Sequence, residues 1–186
     1  MPSEELFVEQ LKTGVPAAYE LLVERFEGPL YRFFLCDHRD HHTAQEQTAE
    51  TFAQLVRSLP QMKGDCGQLR AYVFATARHV QQRLWRRRKK RPLPLADAMT
   101  VSDPGPSPAT VTVEREELER VLDAMGQLEE SQRQVLLLRF VERLSIAEIA
   151  AALEMQPGTV KSHIHRGRLR LKQILVEKEA EHERTQ

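Results

Sequence analysis

Apolar residues recur along the chain at intervals of three and four, the period of an α-helix with one buried face. Leu6, Phe7 and Leu11 mark a short first helix. Ala18, Leu21, Leu22, Phe26, Leu30, Phe33 and Phe34 carry a second run, which Gly28-Pro29 is expected to kink or split. Thr43 with Glu46 three residues on has the form of a capping box, opening a third helix whose inner stripe is Thr48, Phe52, Leu55 and Leu59. Pro60 to Gly67 reads as a loop. A long helix is predicted from about Gln68 to Lys90, with Leu69, Val73, Ala77, Val80 and Leu84 inward.

The pattern then breaks. Five of the ten prolines fall between Pro92 and Pro108, where missing amide donors and restricted preceding residues oppose helix. Residues 92–113 therefore read as a linker. Periodicity resumes with Leu118, Val121, Leu122 and Met125. Ser131 is read as the cap of a helix carrying Val135, Leu136, Leu138 and Phe140. Ser145, with Glu148 as capping-box partner, opens a short helix to Leu153. Pro157-Gly158 ends a turn and opens a last helix from Thr159 to about Val176. No segment alternates strongly enough to be a strand. The expected fold is all-α: two small helical domains, 1–91 and 114–176, joined by a flexible Pro-rich linker, with a charged tail at 177–186.

Charge changes this picture. Lys plus Arg and Asp plus Glu both total 27, but they are segregated. Cys66–Arg91 holds nine Lys/Arg and no acid; Met155–Val176 holds five, with two His and no acid. Two basic blocks in a neutral chain suggest two surfaces facing a polyanion. The second block lies on the second helix of a pair joined by a short turn, the helix-turn-helix pattern of duplex readers. Val160 and Ile164 are expected inward with Leu169 nearby, leaving Lys161, Ser162, His165 and Arg166 outward for base edges and phosphates and Arg168 further along for phosphate. The plainer alternative is an amphipathic hairpin with a solvated basic face. In the first block Tyr72, Phe74 and Trp85 interleave with Arg70, Arg78 and Arg83, the composition of single-strand binding; the alternative there is core aromatics beside a solvated Arg-rich end.

Other chemistry is thinly supported. No apolar run approaches the roughly 20 residues of a membrane span. No export signal is visible, and Cys36 and Cys66 make no disulfide framework, so reduced thiols in a cytoplasm are expected. Cys36, His38, His41, His42 and Cys66 lack a recognised zinc spacing, and a surface loop with a free thiol is the better reading. No metal or other cofactor is expected. No nucleophile elbow, phosphate loop or zinc helix appears, so no catalytic residue is assigned.

Residues 128–153 (Leu-Glu-Glu-Ser-Gln-Arg-Gln-Val-Leu-Leu-Leu-Arg-Phe onward), followed by Pro157-Gly-Thr-Val-Lys-Ser-His-Ile-His-Arg-Gly-Arg, resemble region 4 of the extracytoplasmic-function (ECF) sigma factors of bacterial RNA polymerase. Ala18-Tyr-Glu-Leu-Leu-Val-Glu-Arg-Phe, Glu50-Thr-Phe and Leu69-Arg-Ala-Tyr-Val-Phe-Ala-Thr-Ala-Arg-His are similar to region 2. The resemblance spans about 5–91 and 114–176. It implies a non-enzymatic factor that binds core polymerase and directs promoter recognition, melting and initiation. Region 4 would read the −35 element as duplex through Thr159, Lys161, Ser162, His165, Arg166 and Arg168. Region 2 would take the −10 strand through Gln61, Met62, Lys63, Asp65, Arg70, Tyr72 and Arg78. Glu46, Glu50, Thr51 and Phe52 would dock on polymerase. An anti-sigma factor is implied by family habit alone. A stand-alone helix-turn-helix regulator and a degenerate polymerase-binding protein are the alternatives. The chain departs from the family at Tyr72 (usually Trp), His79 (usually Asn), Arg83 (usually acidic) and Glu154, where Gly commonly ends the first helix. Thr43, Gln45, Gln47 and Thr48 also replace acids and an apolar pair on the polymerase-facing helix.

Overall fold

The computed structural model describes residues 3–63, 66–90 and 123–184, excluding the side chains of Cys66, 88–90 and 178–184. Among the described residues no strand occurs. The expected linker at 92–113 and the Leu118–Leu122 stripe lie outside them.

Helix α1 (Glu4–Lys12) starts where the Ser3 hydroxyl accepts from the Leu6 amide at 3.3 Å. It buries Phe7, Val8 and Leu11, while Leu6 faces solvent rather than the core as expected. Gly14 turns the chain at φ 79°, a left-handed conformation open to glycine at little cost. Helix α2 (Pro16–His38) then runs unbroken through Pro29, so the expected split does not occur. Proline forfeits one ladder hydrogen bond, but Phe26, Leu30, Phe33 and Phe34 are buried on both sides of it and hold the helix to the core.

Arg39 ends α2 at φ 55°, and Asp40 caps α3 (His41–Ser58). The Asp40 carboxylate accepts from the Thr43 amide at 2.9 Å and from the Thr43 hydroxyl. Those bonds hold its carboxyl below the usual range. Thr43 is therefore the third residue of the helix and not its cap, and Glu46 is exposed, 3.5 Å from His42. The inner side of α3 is unusually polar. Thr48 and Thr51 are buried with hydroxyls donating to the carbonyls of Ala44 and Gln47. A 3-10 turn at Leu59–Gln61 and another at Cys66–Gln68 lead into α4 (Leu69–Lys90). Phe33 and Phe74 meet at 5.8 Å between ring centroids in the core. Leu69, Val73, Ala77 and Val80 are buried as predicted, and Leu84 is partly buried.

Helix α5 (Glu130–Leu136) has no side-chain cap bond; Ser131, the expected cap, lies inside its first turn. The chain widens into a π-helical stretch at Leu137–Val141. That extra residue per turn moves Phe140 outward, to 54% exposure, against the expected inward position. Helix α6 (Ile146–Ala152) and α7 (Pro157–Arg184) complete the fold, α7 running past the expected end at Val176. Gly167 lets α7 approach α5: a Cβ there would lie 3.1 Å from a Leu136 methyl and 3.2 Å from Gln132.

The helices α1–α4 and α5–α7 pack against each other, with α6 lying on α4 and α5 touching α2. The seam is polar. Asp37 of α2 accepts from Nε of Arg133 at 3.1 Å, from the same guanidinium's Nη2, and from Gln81. Gln134 donates to Gln81 at 2.9 Å. The Asp37 and Arg133 side chains are only 2% and 11% exposed. Flanking pairs are Arg32–Glu142 at 2.9 Å, Arg39–Asp123, and Arg78–Glu154 at 3.0 Å.

Candidate nucleic-acid interface

The helix-turn-helix is built from local rules. The Ser145 hydroxyl accepts from the Glu148 amide at 3.2 Å, and the Glu148 carboxylate accepts from the Ser145 amide at 2.7 Å, completing the predicted capping box. Ile149, Ala150 and Ala152 face inward. After Leu153 the Met155 amide reaches the Ala150 carbonyl at 2.9 Å and the Glu154 amide the Ala151 carbonyl at 3.4 Å, a Schellman ending. Glu154 occupies its left-handed position at φ 52°. The turn thus keeps the geometry that glycine usually provides, with a carboxylate added at its corner.

The second helix, α7, buries Val160, His163 and Gly167 and half-buries Ile164. Thr159, Lys161, Ser162, His165, Arg166 and Arg168 are exposed together, as expected. Lys161, Ser162, His165 and Arg166 line one shallow depression. The Ser162 hydroxyl donates to the Gly158 carbonyl at 3.0 Å, so its lone pairs face outward as acceptors. Arg168 lies 5.9 Å from the centre of the exposed Phe140 ring, which steadies its guanidinium by cation–π attraction. Leu169 is exposed and not part of the inner face. His163 was missed by the outward/inward assignment; it is buried, and its Nδ1 has no hydrogen-bond partner among the described residues. Its position three residues after Val160 was the available signal.

The candidate −10 residues are dispersed. Gln61 and Lys63 are exposed, Met62 is buried beneath the 3-10 turn, and Asp65 lies outside the described residues. Arg70 donates to the Glu142 carbonyl, Tyr72 packs half-buried on the core, and Arg78 pairs with Glu154. Phe74 is core. Trp85 is 50% exposed, tilted 6.3 Å from the His38 ring, so burial does not explain it. Of the candidate polymerase-docking residues, Glu46 and Glu50 are exposed, Phe52 is half-buried, and Thr51 is fully enclosed. Thr51 therefore shapes its turn of α3 and offers no surface. Glu50 lies 3.4 Å from Arg83 and 3.6 Å from Arg57.

The Cys/His segment is not a loop. Cys36 and His38 belong to the last turn of α2, with Cys36 buried and its thiol pushed up to about 11 by desolvation. His38 meets the Gln47 amide at 3.0 Å and His41 meets the Tyr31 hydroxyl. Among the described residues no three His, Cys, Asp or Glu side chains gather as a metal site, and no helix is long and apolar enough to cross a membrane.

A basic outward face on the second helix of a helix-turn-helix is the arrangement found in duplex readers, and comparison with known proteins narrows this. Residues 118–171 match the family model "Sigma-70, region 4". The chain is 28% identical over 154 residues to the ECF RNA polymerase sigma factor SigX of Bacillus subtilis (strain 168), covering 80% of this chain and 79% of that protein. It is 35% identical over 105 residues to the RNA polymerase sigma-E factor of Streptomyces antibioticus, 56% of each. Its fold is similar to that of the sigma factor RpoE from Bartonella quintana, solved with the anti-sigma factor NepR, at a TM-score of 0.67 and 20% identity over 84% of this chain and 96% of that one. The chain is thus similar to ECF sigma factors of RNA polymerase, and its residues 118–171 match sigma-70 region 4.

Proposed function

We propose that this chain joins core RNA polymerase and directs it to promoters whose −35 element is read by α7. The observation that carries this reading is the outward set Lys161, Ser162, His165 and Arg166 on the second helix of a helix-turn-helix whose first helix is capped at both ends. Lys and Arg there donate to guanine edges and phosphates, and Ser and His make shorter contacts. Thr159 stands at the start of the same face and Arg168 at its far end, for phosphate. The basic face of α4, with Gln61, Lys63 and the segment through Asp65, takes the non-template −10 strand; Arg70 and Arg78 neutralise phosphate and Tyr72 supplies a stacking ring. Buried Met62 sets the shape of that segment from beneath. Residues 1–91 act as region 2, 92–113 as a linker and 114–176 as region 4. The exposed Glu46 and Glu50 with half-buried Phe52 dock on polymerase. The polymerase performs the chemistry, so no catalytic group is required of this chain. It acts in the cytoplasm, where its polymerase and DNA are. An anti-sigma protein is a further partner, supported by the NepR complex of its structural neighbour.

Run-off transcription with core polymerase, this protein and randomised promoters tests the reading. Transcripts that require the protein and share −35 and −10 elements are expected, with Arg166→Ala weakening −35 selection. Polymerase binding without transcripts would favour a degenerate factor. Tight duplex binding with no polymerase binding would favour a stand-alone regulator.

A further inference from the structure

The strand-binding face assigned to α4 is not free in this structure. Helix α6 lies across it, and two of its cations are already engaged by the C-terminal half. Arg70 donates to the Glu142 carbonyl. Arg78, 20% exposed at its side chain, donates from Nη1 to Oε2 of Glu154 at 3.0 Å, while Oε1 of Glu154 lies 3.7 Å from Nε2 of His79. The exposed −35 set on α7 is untouched by this packing.

Nothing in the turn itself calls for a carboxylate at Glu154. Its Schellman bonds are made by backbone groups, and φ 52° would suit glycine with less strain. What the side chain adds is two acceptor oxygens delivered to Arg78 and His79. A carboxylate and a phosphate present the same kind of acceptor to a guanidinium, and one Nη1 proton serves only one of them. The three flanking pairs run the same way, Arg32, Arg39 and Arg78 of the first half facing Glu142, Asp123 and Glu154 of the second, while the buried central pair, Asp37 with Arg133, runs opposite.

We propose that Glu154 is an internal phosphate substitute: in the closed chain it occupies the seat on Arg78 and His79 that a backbone phosphate of the −10 strand would take, so the chain inhibits its own strand binding while leaving its −35 face available. This rests on the reading of α4 as the strand's path. The closed contact and capture of the strand are then alternatives, each occurring at the other's expense.

The test is fluorescence anisotropy of a fluorescein-labelled single strand of mixed sequence with the full chain. Glu154→Gln removes the charge and keeps the shape; Glu154→Gly also relieves the backbone. Both should bind the strand about three- to fivefold more tightly than the parent, the effect of losing one partly shielded ion pair. Glu20→Gln, which removes the same charge from the exposed surface of α2, should gain clearly less. In an Arg78→Ala, His79→Ala background Glu154→Gln should gain no more than Glu20→Gln does. A rise in Glu154→Gln no larger than in Glu20→Gln, or a larger one that persists without Arg78 and His79, overturns the proposal. If Arg78→Ala alone binds the strand as well as the parent, the assignment of α4 as the strand's path fails instead, and the proposal with it.

Discussion

Replacing Arg133 by Met should uncouple the two halves of the chain. Arg133 donates to Asp37 through Nε and Nη2 and reaches the Leu128 and Gly126 carbonyls at 3.2 and 3.4 Å through Nη1. Its partner carboxylate is 2% exposed, so water cannot replace the lost guanidinium. Gln81 would remain as the charge's donor from α4. Removing one member of a buried pair costs about 3–5 kcal/mol, a large part of the roughly 5–15 kcal/mol that holds a domain folded. The chain has an alternative to unfolding: separating α5 from α2 rehydrates Asp37. Urea titration distinguishes these outcomes, because the single Trp, Trp85, belongs to the first half while far-UV circular dichroism sees both. The parent should show coincident transitions. Arg133→Met should show a dichroism midpoint that falls while the Trp85 transition moves less. Asp37→Asn should soften the loss, since Arg133→Met with Asp37→Asn leaves no unpaired charge; a coupling of about 1 kcal/mol or more is expected. A loss under about 1 kcal/mol in Arg133→Met, with transitions still coincident, would refute the reasoning.

Asp40→Ala should cost about 1 kcal/mol through loss of the α3 cap. Because folding favours the ionised Asp40, the contribution is complete above the ordinary aspartate range and disappears as pH falls through the lowered folded value, so parent and variant should converge in acid-side urea titrations. Cys36, buried with its thiol raised to about 11, should resist thiol reagents at neutral pH in a Cys66→Ser background until urea opens the fold. Gly167→Leu should overpack the α5–α7 contact by about 1–3 kcal/mol, lower the melting temperature and weaken duplex binding together by shifting the recognition helix.

Local signals carried far into this fold. The Ser145–Glu148 box, Pro157 at a helix start and the outward Lys161–Arg166 face all come from spacing, because each depends on neighbours within a turn of the chain. The Thr43–Glu46 spacing, read as the α3 cap, was overridden by Asp40 three residues before it, whose carboxylate accepts from Thr43. Apolar identity alone misplaced Leu6, Phe140 and Leu169, since periodicity marks a face but not its width, and the π-helical stretch rotates the side chains beyond it. The buried Asp37, Gln81, Arg133 and Gln134 could not be read at all. Each looks like a surface residue on its own helix, and its partner lies in a distant part of the sequence. The same separation hid the engagement of Arg78.

The polar character of that seam has a consequence for solubility. When an interface made only of leucine and phenylalanine parts, it leaves adhesive surface on both pieces. Here parting would return a carboxylate, a guanidinium and two amides to water, groups that water solvates well. Apolar residues of the two halves also join in one buried cluster, so parting would bare adhesive surface around these groups, and the polar centre reduces that exposure without abolishing it.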